Sequence, residues 1–449
     1  MNVAISSTRT LPDPAEDLAQ TLRQIYDLDL TTTSGGNLSL LDDDGVIWIT
    51  PAGIDKGELR PDQVAQVEAL DSDTENQDTP PPSSELPFHR AIYAARSDLR
   101  AVIHAHPVSL VAFSIAQTIP DTRVSAQSYT HCGTVGFAPY ALPASEELGA
   151  EIARTFAKGF DCVVLENHGV VVGGTTLRQA FERLEALDLC ARTVLCARTL
   201  GTERALPWDD LELALSIVPK PKSQPRECAL ITDQERAIRQ SLCKIARRAC
   251  RKGLMTSAQG ALSARLPENT FLLTPTSIPL DRLEPSDLLR IGLQRSGLHE
   301  HDSREALHAA LYRTHPDVSA VAHGYGANAS GFSAAGIPLP SKTIPESYIL
   351  IREPVSVSFR TTVLDPDAVA AVLCPDNPVA LVHNDGVLTV GASVLDTFDR
   401  LEVLEATAAA VIASHPLGEL TAMNDEQLAE LRTTFFPTGG FRGAPHGGS

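Results

Sequence analysis

Ala101-Val102-Ile103-His104-Ala105-His106 is the stretch from which the rest of this chain can be read. Its apolar start predicts a strand. Alternate side chains of a strand share one face, so the period of two puts both imidazoles within reach of a single cation. Two further segments carry matching chemistry: Ser83-Ser84-Glu85 ahead of it, and Glu166-Asn167-His168-Gly169 after it. Each falls at the end of a predicted element. Such a site is built by the fold, not by one local loop.

The same stretch returns about 220 residues later as Ala320-Val321-Ala322-His323. Ile49-Thr50-Pro51-Ala52-Gly53-Ile54 likewise returns as Leu273-Thr274-Pro275-Thr276-Ser277-Ile278. His89-Arg90-Ala91-Ile92-Tyr93 returns as His308-Ala309-Ala310-Leu311-Tyr312, and Asn167-His168-Gly169-Val170 as Asn384-Asp385-Gly386-Val387. Order and spacing are kept, and a period this long means two tandem domains instead of a solenoid. The predicted boundaries are 12–215 for the first domain, 216–230 for a polar, proline-rich linker, and 231–436 for the second domain. Residues 437–449 are glycine-rich and expected to be a disordered tail. Asp71 to Pro82, acidic and ending in three prolines, is expected to be an exposed loop of the first domain.

Within the first domain the patterns predict a helix over 14–28 and strands at Asn37–Leu41 and Val46–Thr50. A helix follows at Pro87–Ala95 and a strand at Ala101–Ala105. Ser145 is expected to cap a helix running to about Lys158. Strands at Cys162–Glu166 and Val170–Gly173 flank the Asn-His-Gly turn, and Leu177–Leu200 is a long helix. The second domain repeats the order. The fold class is therefore α/β, with two domains that each cover a mostly antiparallel sheet with helices.

A chain of 449 residues exceeds one ordinary core. The net charge of −19 argues against nucleic acid and anionic membrane surfaces as partners. It leaves an anionic small substrate open, because a metal dication reverses the local field. The eight cysteines form no CxxC pair, which suits reduced thiols packed as small apolar residues. The first residues, MNVAISSTRTLPDPAEDL, carry no apolar signal core, and no apolar run reaches the ~20 residues of a membrane span. A cytoplasmic protein is expected.

Neutral imidazoles from His104, His106 and His168 suit Zn²⁺, and other divalent first-row ions also accept them. Glu85 opens a helix, where the dipole favours a carboxylate, so it reads either as a capping residue or as part of the site. Ser83 and Ser84 read either as helix caps or, with nearby backbone amides, as an anion site. Ser34-Gly35-Gly36-Asn37 and Thr50-Pro51-Ala52-Gly53 are small-residue turns that let a backbone approach a ligand.

Taken together, SGGN, TPAGI, SSE-x-x-x-H, HAH and ENHG in this order resemble the class II aldolase/adducin family. The resemblance covers residues 14–205 strongly and 231–415 weakly. It implies an α/β/α sandwich. It implies His104, His106 and His168 as ligands of one zinc per chain, with Glu85 as a fourth ligand that then serves as the catalytic acid/base. It implies Asn37, Gly53, Ser83 and Ser84 as a phosphate cradle. The implied reaction is aldol cleavage of a sugar phosphate such as a ketose 1-phosphate, giving dihydroxyacetone phosphate and an aldehyde. Epimerases, dehydratases and decarboxylases of the family share the ligands, and adducin-like scaffolds share the fold. Ala52-Gly53 departs from the family's Thr-Gly pair and removes one hydroxyl from the cradle. The family's aldolases also use a tyrosine from a neighbouring subunit, and Tyr129 is the nearest here, with a structural role the stronger reading.

The second copy departs further. Arg304 stands at the position of Glu85, Tyr325 at that of His106, Asp385 at that of His168, and Ala261 or Gly260 at that of Asn37. Only His323 is retained, and Glu305 is one residue out of place. This copy is expected to bind no catalytic zinc. Because family enzymes form fourfold rings, a tandem chain is expected to form a homodimer that mimics a tetramer.

Overall fold

The computed structural model describes residues 13–68, 81–217, 231–294 and 303–436. The expectations for most of the Asp71–Pro82 loop, for the linker beyond residue 217 and for the tail lie outside these residues.

Each copy builds a seven-stranded sheet. The first contains β1 (Asn37–Leu41), β2 (Val46–Ile49), β3 (Ala65–Glu68), β4 (Ala101–Ala105), β5 (Val135–Ala138), β6 (Cys162–Leu165) and β7 (Val170–Gly174), in the order β3-β2-β1-β4-β7-β6-β5. The second contains β8 (Ala261–Leu266), β9 (Thr270–Leu273), β10 (Leu289–Gly292), β11 (Ala320–Gly324), β12 (Val355–Ser358), β13 (Val379–His383) and β14 (Val387–Gly391). Its order, β10-β9-β8-β11-β14-β13-β12, is the same topology. Among the described residues only β5–β6 and β12–β13 pair in parallel, so the mostly antiparallel expectation holds.

Local chemistry sets the element ends. Asp13 accepts from the backbone of Ala15 to start the helix Pro14–Asp27, whose Leu18, Leu22 and Ile25 are buried at helical spacing. Ser145 accepts from Leu148 at 3.1 Å and opens the helix Glu146–Phe156. The strands β3, β5, β10 and β12, each of four residues, are absent from the sequence reading.

In the second copy the two sheet faces feed separate cores. Leu262, Ala264 and Leu381 pack on one side. Their strand neighbours Ala261, Ala380 and Val382 pack on the other. Each such side chain contributes about 1.5–3 kcal/mol relative to exposure for Val or Leu. The first copy's core gathers Ile47, Val102, Val163 and Val171 under Phe88, Ile92 and Phe156.

The chain forms two compact units that are not cut where the sequence repeat is. The first holds residues up to Ile119 and Cys132–Leu184; the second holds Pro120–His131 and everything from Glu185 onward. Two segments of the first copy therefore pack with the second.

Candidate metal centre

The register of β1 on β4 sets Asn37 opposite His104. His106 follows directly after β4, with its ring centroid 4.6 Å from that of His104. His168 arrives from the β6–β7 turn. Asn167 takes φ of +54° there, a conformation asparagine tolerates, and Ser114 accepts from the His168 backbone at 2.8 Å. Ligand atoms of His104, His106 and His168 lie within 4.8 Å of one another.

Glu85 is the residue just before the helix Leu86–Ala95, and its side chain makes no capping bond. Its carboxylate turns to the histidines instead, 3.5 Å from His104 Nε2 and 3.6 Å from His168 Nε2. Asn37 Nδ2 donates to Glu85 Oε2 at 2.7 Å, and Asn37 Oδ1 lies 2.6 Å from His89 Nε2. His89 is fully buried and also contacts Ser39. A chain of side chains from Ser39 to Glu85 thus fixes the carboxylate. The histidine of SSE-x-x-x-H holds that chain in place.

The donor set fits a divalent cation. His104 Nδ1 donates to the Val170 carbonyl at 2.9 Å, which leaves the lone pair on Nε2. His106 Nε2 sits 2.9 Å from that atom. Burial, aided by the neighbouring imidazoles, pushes His104 and His106 down to about 3. Neutral rings and a carboxylate crowd one point, and a cation satisfies them all.

The glycines of this region have a steric cause. A Cβ on Gly35 would lie 2.6 Å from His106 Nδ1. Gly36, at φ of +73°, would place one 2.6 Å from the His104 carbonyl oxygen. The SGGN loop packs directly on the HAH segment, so neither position accepts a side chain.

The two candidate anion loops adjoin one another. Ser83 N donates to Thr50 O at 3.2 Å and Ala52 N to Pro81 O at 3.3 Å. Ser83 is buried and accepts from Glu85 N at 3.3 Å, while Ser84 and Gly53 are exposed. Ser83 and Ser84 directly precede Glu85 in this segment.

Lys56 was not singled out from sequence. It is 4% exposed, and burial lowers its pKa while Glu85 opposes that shift. Its charge also bears on His104. A lysine following a Gly-Ile-Asp turn reads as surface, and only the fold brings it to the metal centre.

The second copy's equivalent centre is closed by hydrogen bonds. His323 donates from Nε2 to the Asp385 carbonyl at 2.6 Å, and Tyr325 donates to Asp385 Oδ1 at 3.1 Å. His323 therefore commits the nitrogen that His104 keeps available. Burial pushes Asp385 up to about 8 and His323 down to about 4.

No helix among the described residues is long and apolar enough to cross a membrane. The seven described cysteines are all free.

The 3-oxo-tetronate 4-phosphate decarboxylase of Pectobacterium atrosepticum is 34% identical over 168 residues, 36% of this chain and 75% of that protein. The 5-deoxy-D-ribulose 1-phosphate aldolase of Bacillus thuringiensis is 30% identical over 185 residues, 41% of this chain and 84% of that protein. The L-fuculose phosphate aldolase of Methanocaldococcus jannaschii is 31% identical over 178 residues, 38% of this chain and 91% of that protein. Each aligns with well under half of the chain, as expected for single-copy relatives of a duplicated protein. The family model described as the class II aldolase and adducin N-terminal domain matches twice, over residues 16–195 and 240–412. Two matched sheets of one topology and a histidine–glutamate centre in the first lead to one conclusion: this chain belongs to the class II aldolase/adducin family.

Proposed function

We propose that the chain is a zinc-dependent lyase that cleaves a phosphorylated ketose, with the first domain (12–215) catalytic and the second (231–436) without catalytic metal. The observation that carries this reading is the convergence of His104, His106, His168 and Glu85 on one point, with Glu85 held there by Asn37. Such a set serves a cation, and a scaffold has no use for it.

His104, His106 and His168 would hold the ion, with Glu85 in reach as a fourth ligand. The bound ion supplies Lewis acidity, drawing charge onto the substrate's carbonyl oxygen as the C3–C4 bond breaks. Glu85 is the acid/base: its carboxyl delivers a proton to C3 while the C4 hydroxyl loses one and becomes the aldehyde. Asn37 keeps one amide hydrogen for the substrate while the other holds Glu85. Ser83, Ser84 and the backbone at Gly53 receive the phosphate. Lys56 adds a positive charge close to Glu85 and balances the anionic substrate.

Decarboxylation of a phosphorylated 3-oxo acid is a second reading. It is favoured by the Pectobacterium relative, the most identical of the three described. Both readings are tested by metal analysis followed by a product screen. One zinc per chain, lost in His104→Ala, with dihydroxyacetone phosphate released from a ketose 1-phosphate, supports the aldolase. Carbon dioxide release from a 3-oxo acid phosphate selects the decarboxylase. A chain purified without chelator that holds no metal refutes both and leaves a scaffold.

A further inference from the structure

Behind Glu85 a single line of hydrogen bonds runs through the first copy's core to a residue far from any ligand, Tyr93. Tyr93 Oη lies 2.7 Å from Ser39 Oγ, and Ser39 Oγ lies 2.6 Å from His89 Nδ1. His89 Nε2 lies 2.6 Å from Asn37 Oδ1, and Asn37 Nδ2 donates to Glu85 Oε2 at 2.7 Å. Ser39, His89, Asn37 and Tyr93 are all buried, so no water competes for these bonds.

The direction of the line follows from counting its protons. Burial, aided by His104, holds the His89 ring well below the ordinary imidazole range, so it is neutral and has one N–H. Asn37 turns its oxygen to His89, and an oxygen only accepts, so that hydrogen is on Nε2. Nδ1 then only accepts, which commits the Ser39 hydrogen to it. Ser39 Oγ therefore accepts from Tyr93. Burial raises the Tyr93 phenol well above its ordinary value, so its hydrogen stays in place. Every donor points towards Glu85.

A proton on His89 Nδ1 would reverse every bond. Nε2 would then call for the Asn37 amide hydrogens, Asn37 would turn over, and its oxygen would face the Glu85 carboxylate. At the far end Ser39 would donate to Tyr93, and among the described residues Tyr93 has no second acceptor for its own hydrogen. A buried donor without an acceptor is strongly penalised. Both ends of the line exclude the reversed state.

We infer that Tyr93, Ser39 and His89 are positioning residues that fix the Asn37 amide from the side away from the histidines, and through it the rotamer of Glu85. The inference rests on Glu85 being the acid/base. The line carries orientation and no proton. Passing a proton to Glu85 would leave a Tyr93 phenolate in the core, so Glu85 exchanges its proton only on the substrate's side.

The second copy keeps the same trio without the extension. Ser263 Oγ lies 2.6 Å from Tyr312 Oη and 2.7 Å from His308 Nδ1. Ala261 pairs with His323 as Asn37 pairs with His104, so a methyl replaces the amide. There the trio serves the core alone. Removing the same hydroxyl in either copy therefore separates the core role from the positioning role.

NMR spectra of the metal-free full chain, with nitrogen-labelled histidine and His89→Gln to assign the signal, are expected to show the His89 proton on Nε2. Glu85→Ala is expected to leave it there, because Tyr93 holds the far end. Adding Tyr93→Phe to Glu85→Ala is expected to give both tautomers. A proton on Nδ1 in wild type, a proton that leaves Nε2 in Glu85→Ala alone, or a double variant that keeps Nε2–H throughout overturns the inference. In turnover, Ser39→Ala is expected to lower kcat about tenfold or more with KM within about twofold. Ser263→Ala is expected to lower Tm by a similar amount and to leave kcat unchanged. Equal kcat in these two variants overturns the positioning role. A wild type that turns over neither a ketose 1-phosphate nor a 3-oxo acid phosphate refutes the lyase reading, and the His89 spectra then decide the direction of the line by themselves.

Discussion

Replacing Asp385 by asparagine should stabilise this protein, and increasingly so as the pH rises. Asp385 is fully buried against Tyr325 and His323, and burial holds its carboxyl at about 8 against an ordinary 3.8. The folded chain therefore keeps the proton that the unfolded chain releases. Stability is full below pH 3.8 and declines as the pH rises towards 8, the sign opposite to that of a salt-bridged carboxylate. At pH 7 the separation from 3.8 is 3.2 units, or about 4 kcal/mol at 1.36 kcal/mol per unit. At pH 5 it is 1.2 units, or about 1.6 kcal/mol. Asparagine cannot ionise, and its oxygen still accepts from the Tyr325 hydroxyl. Any constant difference between amide and acid cancels between the two pH values. The advantage of Asp385→Asn over wild type should thus grow by about 2–3 kcal/mol from pH 5 to pH 7. At about 2–4 °C per kcal/mol, the gap in Tm widens by roughly 5–10 °C. Thermal unfolding of both proteins at pH 5, 6, 7 and 8 measures it. A gap that stays constant across this range refutes the buried, protonated carboxyl.

His106→Ala should lower zinc content per chain by at least about tenfold with little change in Tm of the metal-free protein, read by plasma emission. Asn37→Leu should leave the histidines in place but release Glu85, lowering kcat by about a hundredfold with a smaller change in metal content; equal losses in both would assign Asn37 to the ligand frame instead. Lys56→Met should raise KM for an anionic substrate about tenfold or more while kcat moves less, as a lost charge contact requires. Gly36→Val, forced to φ of +73° with its Cβ against the His104 carbonyl, should destabilise by about 2–4 kcal/mol in urea unfolding and weaken metal binding.

The donor chemistry was legible because it follows a period. Two histidines at i and i+2 on an apolar run, and a third in an Asn-His-Gly turn, state their own geometry. The repeat was legible because equivalent residues recur in order, and the structure gives both sheets one topology. Three things were not legible. Asn37 looks like any residue at the end of a glycine turn, and its grip on Glu85 depends on β1 lying beside β4. Lys56 reads as surface until its loop folds under the centre. The packing of residues 120–131 and 185–217 with the second copy leaves no local pattern, because it depends on matched volumes far apart in sequence.

The hydrogen-bonded trio of His323, Tyr325 and Asp385 has a consequence for how the protein is made. A centre that needs an ion is finished only when the ion arrives. The trio is complete as soon as the chain folds, so half of the molecule matures without regard to metal supply. If the first copy's histidine centre takes an ion, only that half of the molecule would wait on metal supply.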